Sequence, residues 1–284
     1  MPELPEVETI RRGLSEAILH KKIVSLEIRK DKLVKNDTAY FVSVLQNSRV
    51  LSIDRIGKLL IFALADKQNF LLVHLKMTGQ LIYTKAGDII AGGHNLAFSE
   101  GLPNKYSHII FSFADGSNLF FNDMRQFGYM EIVADKAKVL DKFGIEPGKK
   151  DFTLENFKSI FKNKKITLKQ LLLNQKLISG IGNIYADEIC FRAGILPMRP
   201  ANKLKFEDIK KIYQSCQYII KKAVEKRGTT FSDYRDSSGR EGNFVKYLKV
   251  YGRAGKKCLR CRQSNIKKVR LGGRGTHFCP SCQK

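Results

Sequence analysis

The sequence lacks a long apolar run and a recognisable export signal. Its longest apolar run, Leu59–Ala65, is far shorter than the roughly 18–20 residues of a membrane helix. Two prolines and several acidic residues stand near the N-terminus, where a secretory signal has cations and an apolar stretch. We therefore expect a soluble intracellular protein that does not use a membrane as a partner.

Acidic residues are also scarce, because the 284-residue chain has 27 of them against 51 lysines and arginines. The resulting net charge of +24 exceeds what solubility requires and predicts a polyanionic partner. A hydrophobic content of 43% excludes wholesale disorder. At this length we predict two domains, each with its own core.

Cysteine is sparse, but its spacing is informative. Four of the six cysteines form the pattern Cys-x2-Cys-x17-Cys-x2-Cys, at Cys258, Cys261, Cys279 and Cys282. This spacing predicts four thiolate ligands of one structural zinc ion, with a pair of surface disulfides as the alternative. His277 is a competing ligand, although four thiolates already complete the site. Cys190 and Cys216 lie in apolar helical contexts, so we expect them to be buried and inert.

Apolar periodicity predicts a helix, then strands, then more helices. Residues 5–19 have one apolar face, with a proline and glutamates in the first turn. Short strand patterns separated by turn signals follow over residues 22–133 and predict a β-sandwich with a long loop at 84–105. Helical periodicity then extends over 151–226.

These patterns predict an α+β fold with two domains and a small basic tail. The predicted N-terminal domain spans 1–135, a linker spans 136–150 and the helical domain spans 151–250. Within the helical domain, the polar Gly/Ser-rich segment 228–243 is predicted to be a mobile loop. The zinc module spans 251–284 and has ten lysines and arginines but no acidic residue.

Two glycine-rich segments are candidate phosphate contacts. Segment 272–275 surrounds Arg274 with glycines in a predicted hairpin tip, which suits phosphate contact or groove insertion. A solvated turn arginine is the alternative. Segment 179–183 permits close backbone approach, and Asn183 is expected to N-cap a helix that starts at Ile184 and offers bare amides to an anion. An ordinary structural turn is the alternative for this second segment.

The chain resembles bacterial formamidopyrimidine-DNA glycosylases in several segments, in matched order from the first residue to the last. These are MPELPEVETIRRGL, HLKMTGQL, NDMRQFG, NQKLISGIGNIYADE, and VYGRAGKKCLRC with GGRGTHFCPSCQ. Members of that family are DNA glycosylases and AP lyases that excise oxidised purines, chiefly 8-oxoguanine and formamidopyrimidines. The resemblance implies an N-terminal helix and β-sandwich domain, followed by a helix-two-turn-helix domain with a four-cysteine zinc finger hairpin.

The resemblance also implies that Met1 is removed and that Pro2 becomes the nucleophile. An α-amine has a pKa near 8, far below that of lysine, so much of it is unprotonated at neutral pH. A proline amine is secondary, and its Schiff base with C1′ of deoxyribose is therefore a cationic iminium. That cation is an electron sink for the eliminations that cut the strand.

Four further residues match catalytic positions of the family. Glu3 matches the general acid that protonates the sugar ring oxygen. Glu6 matches a carboxylate that holds the amine or a water molecule, with a plain first-turn helix acid as the alternative. Lys58 matches a lysine that contacts phosphate and assists β-elimination, and a strand-surface lysine is its alternative. Arg274 matches the finger-tip arginine that binds phosphates beside the flipped nucleotide and is linked to δ-elimination.

The remaining matches concern DNA binding. Met77, Arg125 and Phe127 match side chains that fill the space left by an extracted base, although the sequence alone also allows Met77 and Phe127 to be core residues. The segment 228–243 matches a lesion-capping loop. Further phosphate or lesion contacts are implied at His74, Lys164, Lys169 and Asn183.

Two positions depart from the common family pattern, and both leave affinity open. Tyr106 stands where many members have a histidine that contacts DNA. Tyrosine is compatible with a hydrogen bond to phosphate, but a charged contact is lost. Gln126 replaces a frequent basic residue. Neither position touches the implied chemistry.

We therefore expect a monomeric repair enzyme of the bacterial cytoplasm, associated with the nucleoid. Its expected partner is double-stranded DNA with oxidised bases or abasic sites. Two alternatives remain: an endonuclease VIII-type glycosylase for oxidised pyrimidines, and a non-catalytic zinc-finger DNA-binding protein. The first residues and the inserting side chains favour the purine type, and intact Pro2, Glu3 and Lys58 argue against a non-catalytic protein.

Overall fold

The computed structural model describes residues 1–86, the backbone of 88–92, and residues 101–229 and 243–284. The chain divides into two compact units. The first comprises Met1–Leu140 and Lys226–Asn243, and the second comprises Asp141–Glu225 and Phe244–Lys284. In these described ranges, no helix is long and apolar enough to cross a bilayer.

Helix α1, Leu4–Ile18, opens the first unit and agrees with the helix predicted over residues 5–19. Proline in its first turn is favourable because the amide that proline lacks would have no helical partner there. Val7, Ile10 and Leu14 recur at helical spacing and are buried in the core of the unit. This packing fixes the helix whose first turn follows Pro2.

The strands of the first unit form two antiparallel sheets with the orders β1-β7-β8-β5-β6 and β2-β3-β4-β9. A helix α2, Thr38–Leu45, lies between β1 and β2 in the chain. The strands are β1 Ile23–Ile28, β2 Val50–Ile56, β3 Leu59–Leu64, β4 Phe70–His74, β5 Gly79–Lys85, β6 Asp88–Gly92, β7 Ser107–Phe113, β8 Asn118–Asp123 and β9 Tyr129–Val133.

The two sheets share one hydrophobic core, which confirms the predicted β-sandwich. Phe111 and Phe121 from the first sheet lie in the same buried cluster as Phe62 and Val73 from the second. Alternate residues of β3, β7 and β8 enter this core, because successive side chains of a strand point to opposite faces. Burial of each such side chain contributes about 1.5–3 kcal/mol.

The long loop predicted at 84–105 is wrong in its first part. Strand β5 continues to Lys85, and β6 pairs with it antiparallel from Asp88 to Gly92. The local sequence is rich in glycine and shows no strand alternation, so its pattern predicts a loop. The unpaired edge of β5 provides the hydrogen-bonding partners that make this stretch a strand. Residues 93–100 of the predicted loop lie outside the described residues.

Helices and a C-terminal hairpin form the second unit, as the periodicity predicts. The hairpin strands pair antiparallel from Lys267 with Phe278 to Leu271 with Arg274. The elements are α4 Leu154–Ser159, α5 Leu168–Leu173, α6 Asn183–Ala193, α7 Phe206–Glu225, β10 Lys267–Leu271 and β11 Arg274–Phe278.

The unit boundaries differ from the predicted domain limits in two places. The predicted linker 136–150 contains helix α3, Lys136–Leu140, which belongs to the first unit. The segment Lys226–Asn243 also groups with the first unit, whereas the prediction placed it in the helical domain 151–250. Residues 230–242 of the predicted capping loop lie outside the described part of the chain.

An ion-pair cluster joins α1 to the sandwich. The carboxylate of Glu8 lies 2.9 Å from Arg11 and 2.8 Å from Arg12 on α1, and 3.2 Å from Arg55 on β2. The Glu8 and Arg55 side chains are only 12% and 6% exposed. Burial raises the pKa of Glu8, but hydrogen bonds from Arg11 and Arg12 and the charge of Arg55 outweigh burial and lower it to about 2.

We predict that the cluster makes stability depend on acid pH. Because the pKa of Glu8 is lower in the folded state, its contribution is complete above the ordinary value of 4.5 and is lost as the pH falls towards 2. Urea titrations should show the wild type losing about 1–3 kcal/mol more than Glu8→Gln over this interval. Glu16→Gln, which removes an exposed carboxylate from the same helix, is the control. Equal pH dependence in the wild type and Glu8→Gln would contradict the assignment.

Candidate active site

The start of the chain brings three predicted catalytic residues together. Pro2 is half-buried immediately before α1, and Glu3 is the N-cap residue of that helix and is buried. The backbone N–H of Glu3 donates to Glu6 Oε2 at 2.8 Å. The positive end of the helix dipole favours carboxylates at these positions. The N-cap and the first turn of α1 therefore each hold one carboxyl group, directly after the proposed nucleophile in the chain.

Glu6 also binds a segment that is remote in sequence. Its Oε1 accepts hydrogen bonds from the Thr229 backbone N–H at 2.6 Å and from the Thr229 hydroxyl at 3.0 Å. Gly228 has a positive φ of 81°, and a Cβ at this position would lie 2.6 Å from Glu6 Oε1. Glu6 thus does more than occupy a helix first turn. The sequence gives no signal for Thr229, because the pairing is tertiary.

Lys58 and His74 lie at one end of the four-stranded sheet. Leu59 at the start of β3 pairs with His74 at the end of β4, which places buried Lys58 beside His74. Burial, followed by the charges of Lys76 and Lys58, lowers the pKa of His74 to about 3. Its Nδ1 accepts from the Lys76 backbone N–H at 3.0 Å. His74 is therefore neutral at pH 7 and carries its proton on Nε2.

The predicted inserting side chains are exposed on two turns of the first unit. Met77 lies between β4 and β5 and is 36% exposed, while Phe127 lies between β8 and β9 and is 53% exposed. The guanidinium of Arg125 lies 4.7 Å from the Phe127 ring centroid. This exposure excludes the alternative in which Met77 and Phe127 are core residues.

Asp123 connects these two turns. It is fully buried at the end of β8, and its carboxylate accepts the backbone N–H of Arg125 at 3.1 Å and of Gly128 at 2.7 Å. The Thr78 hydroxyl, one residue after Met77, also donates to Asp123. The Asp123 N–H donates to the Tyr106 carbonyl at 3.0 Å, so Tyr106 lies next to the same turns. Sequence reasoning missed Asp123 and Thr78, because neither matches a predicted contact.

In the second unit, Arg274 lies at the tip of the hairpin, as predicted. It is exposed and pairs with Leu271 across a two-residue turn. The turn residues Gly272 and Gly273 have φ values of 54° and 78°. Positive φ at both positions is the requirement of a type I′ turn, which glycine meets without strain.

The four clustered cysteines fit one structural zinc ion. Their Sγ atoms all lie within 4.8 Å of one another, and two Sγ–Sγ distances, Cys258–Cys282 and Cys261–Cys279, are 3.8 Å. Zn–S bonds of about 2.3 Å in a tetrahedron separate the sulfurs by about 3.8 Å, whereas a disulfide requires about 2.05 Å. His277 is not a member of this cluster, and its Nδ1 lies 3.0 Å from Asp187 Oδ2.

Lys169 requires a correction, because it is buried instead of facing a phosphate. Its ammonium lies 2.6 Å from Asp187 Oδ1 and donates to the Gly275 carbonyl and the Thr276 hydroxyl, both at 2.9 Å. The other Asp187 oxygen accepts the His277 backbone N–H at 2.8 Å. A buried ammonium needs such partners to offset its desolvation. Lys169 and Asp187 therefore hold the part of strand β11 that directly follows Arg274.

The cap predicted at Asn183 is also wrong. Gly182 is the N-cap of α6, and Asn183 is the first residue of the helix. The Asn183 side-chain Nδ2 instead donates to the Gly275 carbonyl at 3.2 Å. Lys164 is half-buried in the turn between α4 and α5, and its DNA contact stays a prediction.

Comparison with known proteins gives matches along the chain. Family models match for the formamidopyrimidine-DNA glycosylase N-terminal domain at residues 1–130, its H2TH domain at 143–235, and the zinc finger found in FPG and IleRS at 255–284. The formamidopyrimidine-DNA glycosylases of Streptococcus pneumoniae and Streptococcus mutans are each 40% identical to this chain. Both matches cover 100% of this chain. They cover 99% of the Streptococcus pneumoniae protein and 100% of the Streptococcus mutans protein. The chain belongs to the formamidopyrimidine-DNA glycosylase family.

Solved structures of this family agree with the fold. A Lactococcus lactis Fpg in complex with DNA that contains an abasic site has a TM-score of 0.88 and 33% identity, covering 99% of both chains. A single-residue mutant of that enzyme, in complex with Fapy-dG-containing DNA, has a TM-score of 0.88 and 34% identity, covering 100% of both. The chain is thus a DNA glycosylase by family, with one structural zinc.

We predict that Cys258→Ser abolishes zinc binding and DNA cutting. Small zinc modules depend on their metal to fold, so loss of one thiolate should unfold the hairpin that bears Arg274. Metal analysis by mass spectrometry and a strand-cutting assay measure the two effects. The matched control is Cys216→Ser, which alters a buried cysteine outside the cluster and should retain zinc. Full activity in Cys258→Ser or in thoroughly chelated protein would contradict this role.

We predict that Lys169 and Asp187 stabilise the second unit only as a pair. Lys169→Met or Asp187→Asn alone should reduce the free energy of unfolding by about 3–5 kcal/mol, because each leaves a buried charge without its partner. The double variant should lose less than the sum of the single losses, since no buried charge remains. Denaturant unfolding of all four proteins measures the coupling. Strict additivity would show that the pair does not interact.

Proposed function

We propose that this protein is a bifunctional DNA glycosylase and AP lyase of base excision repair that removes oxidised purines. Its substrates would be 8-oxoguanine and formamidopyrimidines in double-stranded DNA. The observation that carries this proposal is the N-terminal arrangement of Pro2, Glu3 and Glu6, in a chain that matches the family along its whole length. The Lactococcus lactis complexes with abasic-site and Fapy-dG DNA support the substrate class.

In the proposed mechanism, Met1 is removed and the secondary amine of Pro2 attacks C1′ of the damaged nucleotide. The C1′–N bond to the base breaks, the departing base takes up the proton that the Pro2 amine loses, and Glu3 protonates the sugar ring oxygen as the ring opens. The product is an iminium cation. Loss of a C2′ proton sends the C2′–H electron pair into the iminium to give an enamine, and the enamine then expels the 3′ phosphate together with the C3′–O electron pair. A second elimination then releases the 5′ phosphate. Glu6 positions the start of α1 throughout.

Residues of both units would contact the DNA. Met77, Arg125 and Phe127 would fill the space vacated by the damaged nucleotide, which compensates part of the few kcal/mol that unstacking costs. Lys58, His74, Tyr106, Lys164, Asn183 and Arg274 are the proposed phosphate or lesion contacts. His74 would act as a neutral donor through Nε2. Lys169 would act indirectly, by holding the strand that begins with Arg274.

The domain division and the location are also proposals. We retain a catalytic domain at 1–135, a linker at 136–150, a helix-two-turn-helix domain at 151–250 with a capping loop at 228–243, and a zinc finger at 251–284. Bacterial relatives of full length support action in the bacterial cytoplasm, where the chromosome lies.

Base release from a duplex with one 8-oxoguanine opposite cytosine tests this function. We expect release of 8-oxoguanine and a one-nucleotide gap with phosphate at both ends. Glu3→Gln should slow base release by about 100-fold or more while retaining binding, because it removes the general acid. Glu16→Gln, on the exposed side of the same helix, should be unchanged.

Two other duplexes complete the test. One carries dihydrouracil and the other is undamaged. Base release from dihydrouracil alone would assign the protein to the endonuclease VIII type. Tight binding without release from any duplex would leave a non-catalytic DNA-binding protein.

A further inference from the structure

The second unit contains a cavity that the proposed reaction does not use. It has a volume of about 220 Å³ and lies between the C-terminal half of α6, helix α7 and the turn of the first cysteine pair. Its apolar lining includes Phe191, Ile219 and Phe244, all of which are buried. At its mouth, Tyr218 and Leu259 are 44% and 48% exposed. We name this cavity the α6–α7 pocket.

Cations surround the mouth of the α6–α7 pocket and lie over aromatic rings. The Arg192 guanidinium is 3.5 Å from the Tyr218 ring centroid, and the Lys222 ammonium is 4.3 Å from that of Tyr247. The Arg260 guanidinium is 4.0 Å from the Phe191 centroid. Cation–π contacts hold these side chains in place. In the part of the chain that the structure describes, none of the three cations forms an ion pair.

A buried carboxylate gives the pocket a fixed wall. Glu188 is 2% exposed and accepts the backbone N–H groups of Lys249, Val250 and Tyr251 at 2.9–3.0 Å. Its negative charge disfavours a phosphate inside the cavity, and the apolar lining offers a nucleobase few hydrogen-bonding groups. The pocket therefore suits an apolar group inside and anionic groups at the mouth.

The pocket is remote from the proposed DNA contacts of the same unit. Asn183 is the first residue of α6, whereas Arg192 lies near its last, so the two are about 13 Å apart along the helix axis. Arg274 begins β11, and Cys279 of the zinc site follows the end of that strand. The turn of Leu259 and Arg260 thus lies at the zinc end of the finger, opposite its tip.

We propose that the α6–α7 pocket binds an acidic peptide segment of a partner protein. One apolar side chain of the segment enters the cavity, and neighbouring carboxylates contact Arg192, Lys222 and Arg260. Such a site would attach the enzyme to another protein without occupying the surface proposed for DNA. Charge complementarity selects this occupant, because carboxylates are the anions that accompany apolar side chains in a polypeptide.

Fluorescence anisotropy tests the proposal with a labelled peptide of four acidic residues followed by a C-terminal phenylalanine. The intact zinc-loaded protein should bind it, and Lys222→Glu should weaken binding at least tenfold. The matched control is Lys221→Glu. Lys221 is an exposed lysine of the same helix, and it does not line the pocket. A second peptide, with serine in place of phenylalanine, should bind at least tenfold more weakly than the first. Base release from damaged duplex should be unchanged in both variants.

Three results would overturn the proposal. Equal weakening by Lys221→Glu and Lys222→Glu, or equal binding of the two peptides, would show nonspecific attraction to a basic protein. Competitive displacement of the peptide by undamaged duplex, together with weaker duplex binding in Lys222→Glu than in Lys221→Glu, would show that the pocket is a DNA-binding surface.

Discussion

A chain terminus is ordinarily the least ordered part of a domain, so a reaction carried by Pro2 requires a fold that holds the terminus in place. Three contacts meet this requirement. The apolar face of α1 is buried in the sandwich core, Glu8 forms an ion pair with Arg55 on β2, and Glu6 binds the Glu3 amide and Thr229. The β-sandwich is thus the rigid support of the helix that holds the proposed nucleophile.

The second unit fixes its candidate DNA-binding arginine by different means. The module around Arg274 is too small for an extensive core, so a zinc ion fixes one end of the hairpin and a buried ion pair fixes the adjoining strand. Lys169 and Asp187 connect α5 and α6 to residues 275–277, which directly follow Arg274. Metal and ion pair together reinforce a small hydrophobic cluster that includes Phe191, Val250 and Ile266.

Periodicity and residue spacing in the sequence predict those elements that depend on residues close together in the chain. Helix α1, the sandwich strands, the glycine turn before Arg274 and the four zinc ligands all follow from residues close together in the sequence. Strand β6 did not, because its partner is the edge of β5 and its own pattern is that of a loop. The resemblance implies a DNA contact for Lys169, whereas the tertiary position of Asp187 accounts for its burial. Asp123 and Thr229 were missed for the same reason: periodicity shows which residues face inward, but not which polar groups they meet.

The identity of the nucleophile is the central claim, and borohydride trapping tests it most directly. The protein is incubated with the 8-oxoguanine duplex and borohydride, and the crosslinked peptide is located by mass spectrometry. We expect one covalent adduct, on Pro2, which is absent when Met1 is retained. An adduct on Lys58 or another lysine, or base release with no trapped adduct, would contradict it.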